Sequence, residues 1–127
     1  MHPLLMGSLS WIEYRQRLQD PQTTVIIPCG ALEQHGPHLP LGTDALLSTS
    51  IAQSVAEQVN GIVAPTFSYG YKSQPKSGVL SSAKTASVEK GRLMATQVAE
   101  SIAAAIRTSF ICAVGSVLEI NYISNPV

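Results

Sequence analysis

"TTVIIPCGALEQHGPHLPLGTDALLSTSIAQSVAEQVNGIVAP", Thr23 to Pro65, changes character twice. It opens on a β-branched run, Thr23 to Pro28, whose apolar part is continuous, as in a strand buried on both faces. A loop broken by Gly36, Pro37 and Pro40 follows, and these residues force the chain to turn. From Asp44 to Asn60 the period becomes helical, with Leu47, Ile51, Val55 and Val59 recurring on one face. Thr43 stands where an N-cap is expected, and Gly61 where a C′ residue is. Ile62 to Pro65 then reads as a second short strand. Strand, loop, helix and strand make a βαβ unit, which predicts parallel strands and a right-handed crossover. In open α/β sheets ligands sit beyond the carboxyl ends of the strands. The loops at 30–43 and 66–78 should therefore open on one rim.

The flanks carry two more helices. Ser10 to Leu18 starts with an S-x-x-E capping box, Ser10 with Glu13, and Leu9 with Tyr14 is placed as a hydrophobic staple. Asp20-Pro21 stops it. Ser87 to Arg107 is helical in pattern, with Leu93 or Met94, Val98, Ile102 and Ile106 on one face. Ser87 is placed to cap it, and Glu89 suits the positive end of its dipole. The tail from Phe110 to Val127 is apolar without clear period, and "SVLEINYI" within it has strand character.

At 127 residues the chain is of single-domain length. Charged residues make up only 13%, half the usual share, which favours burial against other subunits. Eight basic and eight acidic residues balance with no basic stripe, so no nucleic-acid partner is expected. The N-terminal residues show neither the charged region nor the apolar run of a secretory signal. No apolar stretch approaches the roughly 20 residues of a membrane span. Cys29 and Cys112 form no C-x-x-C pair, and a reducing cytoplasm is the simpler reading. Cys29 itself is expected in the core, where free cysteines usually lie.

Chemistry concentrates between Gly30 and Asp44. Glu33 and His35 are two residues apart, and in extended backbone that spacing sends both side chains the same way. Asp44 stands at the mouth of the following helix. Two carboxylates and an imidazole suit a divalent ion such as zinc or manganese, and a pair of such ions is a common device for activating water. The spacing alone leaves other readings open. Glu-x-His also occurs by chance, Asp44 can serve the helix dipole alone, and His38 can be a surface residue. There is no G-x-S-x-G nucleophile motif and no phosphate loop. The second rim loop, "TFSYGYKSQPKSG", offers Tyr69, Tyr71, Lys72 and Ser73 to a polar ligand, or is simply a solvated loop.

"GALEQHGPHLPLGTDALL" resembles the metal-binding loop of the creatininase (creatinine amidohydrolase) family, and "PTFSYGYKSQPKSG" is similar to the loop that follows it in creatininases proper. The resemblance runs in order from about residue 8 to 78. It implies an α/β class, a three-layer α/β/α sandwich around a mostly parallel sheet. It implies two divalent ions, zinc and manganese, that activate water to open a cyclic amide and convert creatinine to creatine, in hexamers. Glu33 would bind one ion, His35 the other, and Asp44 would bridge them. Tyr69, Tyr71, Lys72 and Ser73 would then face the substrate. His38 matches a family position without being assigned as a ligand, and no catalytic residue is assigned.

The chain also departs from the family. "SGVLSSAKTASVEKGRLMATQVAESIAAAIRTSF" resembles the family's closing segment, yet it follows Gly78 directly. The central region, which supplies a further histidine and further glutamates, is absent at that join. No histidine follows His38, and the acidic residues beyond Asp44 are Glu57, Glu89, Glu100 and Glu119. The first three are expected on solvated helix faces. The expected molecule is thus a truncated sandwich with a small parallel sheet. Residues 1–110 would form one unit shortened near 78, and 111–127 a divergent tail. By lineage it is a metal-dependent amidohydrolase acting on a small molecule, with an incomplete ion site. The alternative is a non-catalytic variant that associates with full-length subunits, in homo- or hetero-oligomers, or is unstable.

Overall fold

Helix α1 (Trp11–Arg17) begins as its sequence dictates. Ser10 Oγ accepts the Glu13 N–H at 3.3 Å while the Ser10 N–H donates to Glu13 Oε2 at 2.7 Å, so two free helix-end donors are satisfied reciprocally. At its far end Arg17 donates to Asn60 Oδ1 at 3.0 Å and to the Gly61 carbonyl at 2.8 Å. Asn60 Nδ2 in turn donates to Asp20 Oδ2 at 2.8 Å and Thr23 Oγ1 at 2.9 Å. These bonds tie together the segments that enter the two strands.

The computed structural model describes residues 4–68 and 84–113, the last four of these by backbone alone. The strands are β1 (Thr24–Ile26) and β2 (Gly61–Val63), joined through helix α2 (Thr43–Gln58), and helix α3 (Val88–Ala113) closes the described chain. A short 3-10 turn at Met6–Ser8 precedes α1. The strands are parallel, with Thr24 opposite Gly61, Val25 opposite Ile62 and Ile26 opposite Val63. Pairing resumes between Cys29 and Phe67, and Leu5 bridges to Val63. The βαβ unit is therefore present, and the class is α/β with a small parallel sheet.

The core lies where α2 crosses the strands and α3 stacks on α2. Val55, Ala99 and Ala103 are buried together with Ile26, Ile51, Val59 and Ile106 packed around them. Ala52, Ala56 and Val63 form the adjoining cluster with Leu4 and Ile26. Ile62 is fully buried.

Several details differ from the sequence reading. β1 is not buried on both faces. Ile26 meets α2, whereas Val25 is 39% and Ile27 64% exposed, because both packed helices lie on the Ile26 side. On α2, Leu47 stays exposed while Ile51, Val55 and Val59 pack. The N-cap is Gly42, and Thr43 Oγ1 donates instead to the Pro40 carbonyl at 2.6 Å. Gly61 begins β2 rather than ending α2 as a C′ residue.

Ser87 caps α3 as expected, with its Oγ accepting from Lys90 N at 3.2 Å. The face α3 buries is displaced, however. Ala99 and Ala103 go inward with Ile106, and Leu93, Met94, Val98 and Ile102 remain exposed. Small side chains let two helix axes approach closely, and that gain outweighs burying the larger residues against nothing. α3 also runs past Arg107 to Ala113. Glu57, Glu89 and Glu100 are solvated, as their helical positions indicated. The strand character of "SVLEINYI" falls outside the described residues. No helix among the described residues is long and apolar enough to cross a membrane.

Candidate metal centre

β1 ends at the rim. Pro28 accepts from Phe67 N at 2.9 Å and Gly30 N donates to the Phe67 carbonyl at 2.8 Å, so the two rim loops leave the sheet side by side. The first loop then turns back on itself, with Glu33 N donating to the Leu41 carbonyl at 3.1 Å. Gly36 turns with φ of 77°, a left-handed conformation that side chains with a Cβ resist. The turn delivers the chain to α2, whose first turn carries Asp44.

This path brings the three expected residues together. One ligand atom each from Glu33, His35 and Asp44 lies within 4.8 Å of the others, and all three residues are half-buried. Among the described residues they are the one group of this kind. His35 Nε2 lies 3.4 Å from Asp44 Oδ1, yet it is buried and makes no hydrogen bond. That separation is long for a charge-assisted hydrogen bond. It matches the roughly 3.4 Å between two ligands that each sit about 2.0–2.1 Å from one tetrahedral ion. The donor set and the unsatisfied imidazole nitrogen thus fit a divalent cation.

Other expectations resolve differently. His38 is exposed and outside the group. Cys29 is exposed rather than in the core. Tyr69, Tyr71, Lys72 and Ser73 lie outside the described residues. The sequence reading missed Gly30, whose backbone touches the start of α2.

Fold and site define a class: an α/β protein with a carboxylate–imidazole–carboxylate cluster at the carboxyl ends of parallel strands. The sequence profile of the creatininase family, creatinine amidohydrolase, matches residues 7–76. The chain is 44% identical over 75 residues to creatinine amidohydrolase of Pseudomonas putida, covering 59% of this chain and 29% of that protein. It is also 44% identical over 52 residues to the mycofactocin precursor peptide peptidase of Mycolicibacterium smegmatis, covering 36% of this chain and 21% of the relative. A solved manganese creatininase superposes with a TM-score of 0.55 at 41% identity, covering 57% of this chain and 28% of its own. A zinc–zinc mutant creatininase gives 0.55 at 40%, covering 58% and 29%. The chain belongs to the creatininase family, a hydrolase by lineage. It spans less than a third of the length of these relatives.

Proposed function

We propose that this chain carries one half of a metal-dependent amidohydrolase centre, in which Glu33, His35 and Asp44 hold a single divalent ion, zinc or manganese. The buried, unbonded His35 Nε2 beside Asp44 Oδ1 carries this reading. An ion held there would supply Lewis acidity and lower the pKa of water. The chain's own residues supply position. Gly36 turns the loop so that His35 faces α2, and the α2 N-terminus favours the charged Asp44 carboxylate.

The substrate class we assign is a small cyclic amide of the creatinine kind, with Tyr69, Tyr71, Lys72 and Ser73 as its contacts. Support for that assignment is the likeness of the second rim loop to creatininases. The level of identity alone does not discriminate, since a relative named as a peptide peptidase matches at equal identity over its own shorter stretch. Three converging donors complete the protein share of one catalytic ion, not two. Full turnover therefore requires donors beyond these, and the chain alone should bind a cation without appreciable creatinine hydrolysis.

A second reading, a non-catalytic chain that joins full-length subunits, is favoured by the exposed apolar residues Leu93, Met94, Val98 and Ile102. The exposed, free Cys29 fits a reducing cytoplasm for either. Zinc titration calorimetry on the chain and on His35→Ala separates the possibilities, run beside a creatinine assay. The proposal expects one site, lost by at least about 100-fold in His35→Ala because a direct ligand outweighs the 10–100-fold typical of its supporting partners. Creatinine hydrolysis abolished by His35→Ala would instead establish a complete enzyme. Absence of zinc binding would remove the metal reading.

A further inference from the structure

Glu33 and His35 sit on the loop after β1, whereas Asp44 sits on α2, so something must fix one against the other. The contact that does so is at Gly30. A Cβ placed on Gly30 would lie 2.5 Å from Ala45 Cα, 2.6 Å from Ala45 N and 2.9 Å from the Asp44 carbonyl carbon. All three are backbone atoms, which cannot rotate away. Gly30 is not the described glycine with positive φ, which is Gly36. Its requirement is space.

We propose that Gly30 is the positioning residue of the cation cluster. The inference rests on the metal reading above and deepens it. The Gly30 backbone seats against the peptide between Asp44 and Ala45, and so sets the gap between the imidazole and the second carboxylate. The same residue donates to the Phe67 carbonyl at 2.8 Å, which registers the second rim loop on the same point. Any side chain here pushes the start of α2 back by about 1 Å, since carbon atoms pack at about 3.5–4.0 Å. Ligand distances must hold within about 0.2 Å for tight binding, so the displacement breaks the chelate.

Gly61 supplies the matched comparison. A Cβ there would lie 2.6 Å from Ala56 Cα and 2.7 Å from Ala56 Cβ, the same kind of collision with α2. Ala56 is twelve residues beyond Asp44, about 18 Å along the helix at about 1.5 Å per residue. Gly30→Ala and Gly61→Ala therefore both wedge α2 from the sheet, but only the first does so at the cluster. Both are made in the full chain carrying Gly91→Ala, a position with open space around it where alanine favours the helix.

The test is zinc affinity by calorimetry, with folding followed by circular dichroism. The proposal expects a loss of about 10–100-fold for Gly30→Ala, the range for residues that orient ligands, and a change under about threefold for Gly61→Ala at comparable loss of thermal stability. Equal losses in the two variants, or unchanged affinity in Gly30→Ala, would overturn it while leaving the metal site standing. An unfolded Gly30→Ala chain would assign Gly30 to the fold alone and also overturn it. Failure of the parent chain to bind zinc would overturn both readings.

Discussion

At the scale of residues, the cluster is set by spacing and by one turn. Glu33 and His35 share a direction, as their separation predicted, and Gly36 provides the reversal that aims them at Asp44. This much was legible, because a period of two and a glycine beside proline are local signals. The contact of Gly30 with α2 was not, because close backbone approach depends on where a helix from later in the chain comes to lie. The exposure of Cys29 was hidden for the same reason. The turn makes a stability prediction. Gly36→Ala should cost roughly 1–2 kcal/mol, the penalty of a left-handed L-residue, and Gly36→Asn less, because asparagine tolerates that region better. Urea unfolding of the metal-free chain measures both. Equal stability of all three chains would show that the turn is not held at positive φ.

At the scale of elements, the order of strands and helices and the parallel pairing could be read from the change of period between Thr23 and Pro65. The buried faces could be read less well. Apolar spacing on α3 pointed to the face of Leu93 or Met94, Val98, Ile102 and Ile106, and packing chose Ala99 and Ala103 with Ile106 instead. On α2 those alanines meet Val55, with Ile51 and Val59 beside it. Val55, 1% exposed, touches the α3 stripe and should be the sensitive residue. Val55→Ala is expected to cost about 2 kcal/mol through lost transfer energy and a residual cavity. Leu47→Ala, on the same helix but 54% exposed, should change stability by less than about 0.5 kcal/mol. Thermal unfolding of the pair checks the helix orientation. The reverse ranking would place Leu47 inward and contradict the fold.

For the whole molecule, the balance of core and surface governs behaviour. Among the described residues seven apolar side chains form the buried core, while Trp11, Ile27, Leu46, Val88 and Met94 are each more than 60% exposed. A chain so poor in charge that leaves such residues in water is prone to associate. Low charge content had already pointed to subunit contacts, and the exposed side of β1 and the outer stripe of α3 are the surfaces we propose for them. Ile102→Glu, on that stripe and 41% exposed, should lower the native mass or the light-scattering signal while changing unfolding by less than about 0.5 kcal/mol. An unchanged native mass would remove the α3 stripe from the association surface.

The claim on which the functional account turns is that Glu33, His35 and Asp44 form one cation site. Zinc and manganese per chain, counted by elemental analysis after exhaustive dialysis of the parent and of His35→Ala, test it most directly. The account predicts close to one ion per parent chain and none retained by His35→Ala. Two tightly held ions in the parent, or equal metal in both chains, would contradict it.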